Sequence, residues 1–326
     1  MKELNVAVIG VGYLGRFHAQ KYAALRGVNL LGVVDPDIEQ AERVAKECNC
    51  KAFTDYKELL SLVDAVSIVV PTSLHHKVAG EFLDAGVDVL LEKPMTVTLE
   101  EADDLISKAS SQDLVLQIGH LERFNPALIA MEPSLTTPIF IESNRVATFK
   151  PRGVDVSVVL DLMIHDIDII LNIIDSPIKT IHTVGAPVAT ANTDIANARL
   201  IFENGATANV TVSRVSRTNE RKMQIYQPGS HITVDFGNRK VMTLQLSEEL
   251  EESGMPKQVV DLKSFKDGDA LLAEIVAFVA HVRDRTKPGC SGIEGRRALE
   301  VALQVMKQIN EHQQLDLFKD FLPKTA

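Results

Sequence analysis

The chain has 326 residues, 45% of them apolar, enough to fill more than one core, and its length suggests two domains or one large domain with an appendage. A formal charge of −10, with no Lys/Arg cluster to offset it locally, argues against nucleic acid as a partner. No apolar run approaches membrane-spanning length, and MKELNVAVIG reads as a strand rather than a leader, so a cytoplasmic protein with no membrane partner is expected. Three cysteines make no disulfide framework, and with no His/Cys partners at zinc spacing no metal site is expected.

The first strand, Asn5–Ile9, runs straight into Gly10-Val11-Gly12-Tyr13-Leu14-Gly15. A helical pattern follows, then a second apolar strand, Asn29–Val34, closed by Asp35. A G-x-G-x-x-G between strand and helix, with an acid ending the next strand, is a dinucleotide signature. Its glycines allow a tight turn, and the amides of Tyr13 and Leu14 at the helix start would face a pyrophosphate. Asp35 would accept from ribose hydroxyls. Pro36-Asp37 supplies no cation for a 2′-phosphate, so NAD is favoured over NADP. A glycine turn without a ligand is the alternative.

Ile38–Glu47 continues as helix, and Ala65–Val70 as a continuous apolar strand of the kind covered on both faces. Pro71, Thr72 and His75 follow at its carboxyl end, where ligands bind in such sheets; either histidine of the pair His75-His76 alone is better read as ordinary. Asp88–Leu91 ends in Glu92-Lys93-Pro94. Pro94 keeps Lys93 out of helical conformation and presents its ammonium near the expected cofactor. Taken alone, a lysine at a strand end is a surface charge. Thr98 and Glu101 form a capping box ahead of a helix, and Leu114–Ile118 is the next strand. Strand and helix in alternation describe a doubly wound parallel sheet over residues 1–120.

Beyond Ile118 the rhythm changes. Ile139–Phe149 reads as a strand, and short runs from Ile178 to Leu246 read as hairpins of a large, mostly antiparallel open sheet. Gly254 and Pro256 mark a loop, and two helices close the chain, Ala270–Arg285 (capped by Asp269) and Glu294–Gln313. An α+β domain over 121–326 is expected.

Within it, Asp155–Asn172 is apolar almost throughout and uninterrupted by Gly or Pro. Wound as a helix, it gathers Asp161, His165, Asp168 and Asn172 into an arc of roughly 60°. A polar stripe on an apolar helix must face polar partners. Two readings stay open: a structural salt-bridge network, or a catalytic cleft with an Asp-oriented histidine.

Gly10 to Gly15, then Pro71 with His75 four positions on, then Glu92-Lys93-Pro94, then Asp161, His165 and Asp168 in D-x-G-x-H-x-x-D spacing together resemble the Gfo/Idh/MocA oxidoreductases over the whole chain. One position departs: Met163 stands where the family has glycine, and would reshape the pocket near the nicotinamide. The resemblance implies hydride transfer between NAD and a carbinol carbon of a sugar, cyclitol or nucleotide-sugar. It gives Lys93, His165 and Asp161 catalytic roles, with either Lys93 or His165 as the base. The cofactor contacts would be Gly10, Gly12, Tyr13, Leu14, Gly15, Asp35, Pro71, Thr72, His75, Glu92 and Lys93. Gly119-His120-Leu121-Glu122-Arg123-Phe124-Asn125-Pro126 and VVLDLMIHDIDI resemble the subgroup that oxidises the 3-hydroxyl of UDP-N-acetylglucosamine, supplying an aminotransferase in lipid A or polysaccharide synthesis. Lys93, Arg123, Asn125, Arg152, Asp161 and His165 would then meet substrate, with Lys150 and Arg152 equally readable as surface. A homodimer or homotetramer is implied. The rival readings are a myo-inositol or simple-sugar dehydrogenase and a non-enzymatic NAD-sensing regulator, which typically loses the catalytic Lys or His retained here.

Overall fold

The computed structural model describes residues 3–149 and 156–314. They form two compact units. The first extends from the N-terminus to Leu121 and takes in Asp269–Leu299; the second holds Glu122–Gly268 and resumes at Glu300.

The first unit is built on six parallel strands: β1 (Leu4–Ile9), β2 (Val28–Val34), β3 (Lys51–Phe53), β4 (Ala65–Ile68), β5 (Asp88–Glu92) and β6 (Leu116–Gly119). Their order is β3-β2-β1-β4-β5-β6, so the winding direction reverses between β1 and β4. Ligands of such sheets bind at that reversal, outside the carboxyl ends. Helices α1 (Tyr13–Ala24), α2 (Ile38–Cys48), α3 (His75–Asp84) and α4 (Leu99–Ser111) connect the strands. Every residue of β4 and β5 is buried, which is why these segments read as unbroken apolar runs rather than alternating ones. Thr98 and Glu101 close the predicted capping box at α4, and Asp37 caps α2 through the amides of Glu39 and Gln40. The three-residue β3 lies at the sheet edge and is too short to leave a pattern.

The second unit carries an eight-stranded sheet. Its strands are β7 (Phe140–Thr148), β8 (Ile178–Ala186), β9 (Ile195–Phe202), β10 (Thr207–Ser216), β11 (Glu220–Gln227), β12 (Ser230–Asp235), β13 (Lys240–Leu250) and β14 (Pro256–Ser264). The order is β14-β13-β12-β11-β7-β10-β9-β8, antiparallel except for the β7–β10 pair. Alternation is clear on the central strands, where Ile141, Ser143 and Arg145 are buried and their neighbours half-buried. Helices α5 (Pro126–Met131) and α6 (Ile164–Ile173) belong to this unit, α6 lying on β10.

One expectation fails here. Gly254 does sit in a turn, with φ +79°, but Pro256 opens a strand rather than a loop. The strand is the sheet's edge, where a first residue lacking an N–H costs no ladder bond, and every one of its residues is exposed, so burial imposed no alternation.

Two further helices follow, α7 (Ala270–Asp284) and α8 (Gly292–Gln313). Asp269 caps α7 through the Leu272 amide at 2.9 Å. Ile275, Phe278, Val279 and Val282 of α7 join Val6, Val8, Leu30 and Val33 in one apolar cluster of the first unit. Among the described residues, no helix is long and apolar enough to cross a membrane.

Candidate active site

The glycine turn sits at the strand-order reversal, between β1 and α1. Gly10 has φ +83°, and a Cβ there would approach the Val69 carbonyl oxygen to 2.6 Å. A Cβ on Gly15 would lie 1.9 Å from the Gly10 carbonyl oxygen, so α1 can begin this close to the turn only with glycine there. Gly12 differs. Nothing in the chain lies within 4 Å of the position its Cβ would take. It also opens α1 without a side-chain cap, and the first turn carries no acid, leaving the positive helix end to an outside anion. A hollow of about 300 Å³ lined by Gly12, Tyr13, Arg16, Phe17, Gln40 and Arg43 adjoins the turn.

Asp35, at the end of β2, is held by two backbone amides: Val11 N–H donates to Oδ2 at 3.0 Å and Asp37 N–H to Oδ1 at 3.1 Å. The carboxylate is thereby aimed from a fixed backbone. Arg16 is engaged with Glu47 at 2.7 Å, and Arg43 with Gln40. The open Cβ space at Gly12, the uncapped helix end and the immobilised Asp35 fit a dinucleotide with free ribose hydroxyls.

Pro71 and Thr72 lie on the short turn after β4, and Lys93 directly follows β5. His75 does not face this surface. It is 1% exposed, with Nδ1 2.9 Å from the Pro94 carbonyl and Nε2 2.9 Å from the Val70 carbonyl. It therefore ties the turn after β4 to the segment after Lys93. Burial holds its ring below the ordinary value despite those two carbonyls. Glu92 is also buried; burial pushes its carboxyl up, but the His18 hydrogen bond and charge, then the Lys93 charge, hold it below the usual range.

In the second unit the stretch before α6 is a π-turn, Val159–Met163, in which Ile164 N–H reaches back five residues to the Val159 carbonyl. Asp161 lies in it and His165 just after it, both half-buried. The polar stripe divides. Asp168 takes Arg123 in a two-pronged pair, 2.7 Å at each oxygen, and Asn172 accepts a third guanidinium bond at 3.1 Å. Asp166, outside the expected stripe, holds Arg145 at 2.8 and 3.0 Å, with Glu122 on the same guanidinium at 2.8 Å. Of the stripe, Asp168 and Asn172 serve a salt-bridge network, while Asp161 lies within the π-turn and His165 just after it. Asn125 caps α5 through the Ala127 amide and donates to Glu122 and to the Phe236 carbonyl. Met163 is fully buried, so its bulk is taken up by the unit's interior. Lys150 and Arg152 lie outside the described residues.

Sequence reasoning missed the Arg145–Asp166–Glu122 cluster and the buried histidine His18 of α1. Arg145 alternates with Ser143 and Ile141 on a strand face otherwise apolar, and that was the available signal.

A doubly wound dinucleotide unit, joined in one chain to a second unit with a large open sheet, defines a pyridine-nucleotide oxidoreductase architecture. A family model described as an oxidoreductase family with NAD-binding Rossmann fold matches residues 4–120, and one for the GFO/IDH/MocA C-terminal domain matches residues 141–247. The chain belongs to the GFO/IDH/MocA oxidoreductase family and is an NAD-binding member of it. It is 42% identical to a UDP-N-acetylglucosamine 3-dehydrogenase of Acidithiobacillus ferrooxidans, over 94% of this chain and 97% of that protein. A scyllo-inositol 2-dehydrogenase (NAD(+)) of Bacillus subtilis is 28% identical, with 92% of each chain covered. Among solved structures, UDP-N-acetylglucosamine 3-dehydrogenase GnnA from Acidithiobacillus ferrooxidans superposes with a TM-score of 0.91 at 40% identity, covering 97% of this chain and all of that one. A levoglucosan dehydrogenase in complex with NADH shares the fold, with a TM-score of 0.85 at 16% identity, covering 94% of this chain and 97% of that one.

Proposed function

We propose that this chain oxidises the 3-hydroxyl of UDP-N-acetylglucosamine to a ketone, with hydride passing to NAD. The observation that carries this reading is 42% identity, over 94% of the chain, to an enzyme of that activity. The reaction converts an alcohol and NAD⁺ to a ketone, NADH and a proton. Bound NAD supplies the hydride acceptor. In this reading the turn from Gly10 to Gly15, Asp35, Pro71 and Thr72 hold it, and His75 and Glu92 set the loops around it.

Three tasks remain for side chains: removing the hydroxyl proton, stabilising the incipient alkoxide, and orienting the sugar. Lys93 supplies positive charge where negative charge develops. Asp161 orients His165, and the hydroxyl proton leaves to Lys93 or His165. Arg123, gripped by Asp168 and Asn172, fixes the helix that carries the histidine. The product is a 3-keto sugar, the form of substrate that a pyridoxal-phosphate aminotransferase consumes, and a nucleotide-sugar places the reaction in the cytoplasm.

The chain is also read as a homodimer or homotetramer. One face of the eight-stranded sheet is half-exposed and presents a stack of Phe140, Tyr226 and His231, with ring centroids 5.7 and 4.5 Å apart. A monomer by light scattering at micromolar concentration would remove this part of the reading.

NADH absorbance with UDP-N-acetylglucosamine, myo-inositol and free hexoses as competing substrates tests the activity. Turnover with the nucleotide-sugar is expected. Turnover confined to inositol or hexoses overturns the substrate assignment, and NAD binding without turnover of any sugar points to a sensing role.

A further inference from the structure

Four buried polar groups of the first unit make a chain, and the chemistry above uses only Glu92 of them. Tyr22 and His18 of α1 and Ser67 of β4 are fully buried, and Glu92 of β5 is 8% exposed. Tyr22 Oη lies 2.8 Å from Ser67 Oγ, Ser67 Oγ 3.3 Å from His18 Nδ1, and His18 Nε2 3.3 Å from Glu92 Oε1. The second Glu92 oxygen accepts the Lys93 backbone N–H at 3.2 Å. One placement of protons serves the first two links: Tyr22 donates to Ser67 and Ser67 to His18 Nδ1. At the third, His18 Nε2 lies within ion-pair distance of Glu92 Oε1 without hydrogen-bond alignment. Burial pushes the Tyr22 hydroxyl up, which keeps the first donor protonated. The two histidine contacts are long and the tyrosine contact is short, so the chain is anchored at its far end.

Two further features place the anion on Glu92. A Cβ on Gly119 of β6 would come within 2.9 Å of Glu92 Oε1, so the carboxylate has its room only because that position is glycine. The other acid facing the cluster, Glu274 of α7, is fully buried, and neither carboxyl oxygen has a hydrogen-bond partner among the described residues. Burial, and then the Glu92 charge, push its carboxyl well up. Gln117 of β6 donates to the Glu274 carbonyl at 3.3 Å. Of these two carboxyls, Glu92 accepts the Lys93 N–H and faces the His18 ring, while Glu274 accepts no hydrogen bond among the described residues.

We infer that Tyr22, Ser67, His18 and Glu92 form a positioning relay for Lys93, anchoring one buried anion against the lysine's main chain and so fixing where its ammonium is presented. This deepens the reading of Lys93 as the cation at the reacting hydroxyl and rests on it. None of the first three residues touches substrate. They act through Glu92, and their removal should change the lysine's behaviour more than cofactor affinity.

The test uses full-length protein loaded with NAD and the variants Glu92→Gln, His18→Gln and Tyr22→Phe. Three quantities are measured: kcat and its pH profile, NADH Kd by fluorescence titration, and the rate at which acetic anhydride acetylates Lys93, followed by peptide mass spectrometry. Loss of one buried hydrogen bond corresponds to about a three- to tenfold change. The expected result is a kcat loss and a rise in Lys93 acetylation of that size, largest for Glu92→Gln and smallest for Tyr22→Phe. For His18→Gln and Tyr22→Phe, NADH Kd should move less than about twofold, a change of under half a kcal/mol. Gly119→Ala, which crowds the carboxylate, should move Lys93 acetylation in the same direction. Acetylation needs no sugar, so failure of the substrate assignment leaves this readout standing. Should His18→Gln not fold, Tyr22→Phe, which removes a single oxygen, decides the matter. Variants that melt earlier yet keep the parent kcat, pH profile and acetylation rate overturn the relay and leave a merely structural cluster.

Discussion

Gly12 and Gly15 belong to one turn and are glycine for opposite reasons, and substitution separates them. Gly15→Ala forces a methyl to 1.9 Å from a backbone oxygen, so a loss of at least about 1–3 kcal/mol in urea unfolding is expected. Gly12→Ala meets nothing within the chain. Its folding stability should stay within about 0.5 kcal/mol of the parent, while NAD Kd by calorimetry rises about tenfold as the methyl enters the space left for the cofactor. Equal effects on stability would sink the distinction. Titration gives a second expectation. His75 lies below its ordinary 6.5 when folded, so the unfolded ring takes a proton first. Its contribution to stability is full above that value and is lost as pH falls through the folded one. Glu274 has the reverse sign: its folded value is raised above 4.5, so its contribution is full below 4.5 and disappears as pH rises through the folded value. Glu274→Gln should therefore flatten the alkaline fall in melting temperature and leave the acid side alone. At this scale the spacing of Gly10, Gly12, Gly15 and Asp35 was legible because backbone geometry dictates it. The burial of His75 was not, since a histidine after a strand end looks the same whether its ring meets solvent or two carbonyls.

Helix α6 shows what periodicity can and cannot deliver. The apolar run and its polar stripe identified a helix with partners, but 100° per residue assumes an unbroken α ladder, and the π-turn at Val159–Met163 breaks it. Asp166 was missed for a related reason: it is 1% exposed and lies on the flank where Arg145 arrives from β7, a pairing set by strand register. Arg145 is wholly enclosed by Asp166, Glu122 and the Phe236 ring, with its guanidinium 5.6 Å from the ring centroid. Burial works against its charge, but the two carboxylates outweigh it and push the guanidinium's value up. Arg145→Met strands two buried acids and should cost about 3–5 kcal/mol by chemical denaturation. The triple replacement Arg145→Met with Glu122→Gln and Asp166→Asn should recover part of that loss. If the single variant is as stable as the parent, the cluster is not what orders this part of the unit. The edge strand β14 went unread because an element exposed along its whole length carries no imprint of a core.

At the scale of the molecule, the chain enters and leaves its first unit more than once. The alternating strands and helices of residues 1–120 look self-sufficient on paper, and their hydrophobic pattern says nothing of what arrives later. Yet Ile275, Phe278, Val279 and Val282 of α7 share the cluster of Val6, Val8, Leu30 and Val33. Arg285 reaches Asp88 at 2.6 Å, and Arg296 reaches Asp103. A fragment ending at Leu121 should therefore show helical circular dichroism without a sharp melting transition. Adding a peptide spanning 269–299 should restore cooperativity. A fragment that melts as cooperatively as the full chain would show α7 to be dispensable. Which sugar enters was legible only through likeness to relatives, because pocket shape depends on side chains far apart in sequence.

The widened turn ahead of α6 bears on how such a site can be rewired. Asp161 sits within it and His165 follows it, while Asp168 and Asn172 are clamped to Arg123 further along the same rod. Striking out Leu162 alone would let the segment relapse to ordinary winding and bring the aspartate one residue nearer the imidazole along the chain, with every charged group still present. One lost codon, rather than any exchange of side chains, would be the shortest route to a new spacing of aspartate and imidazole on this rod.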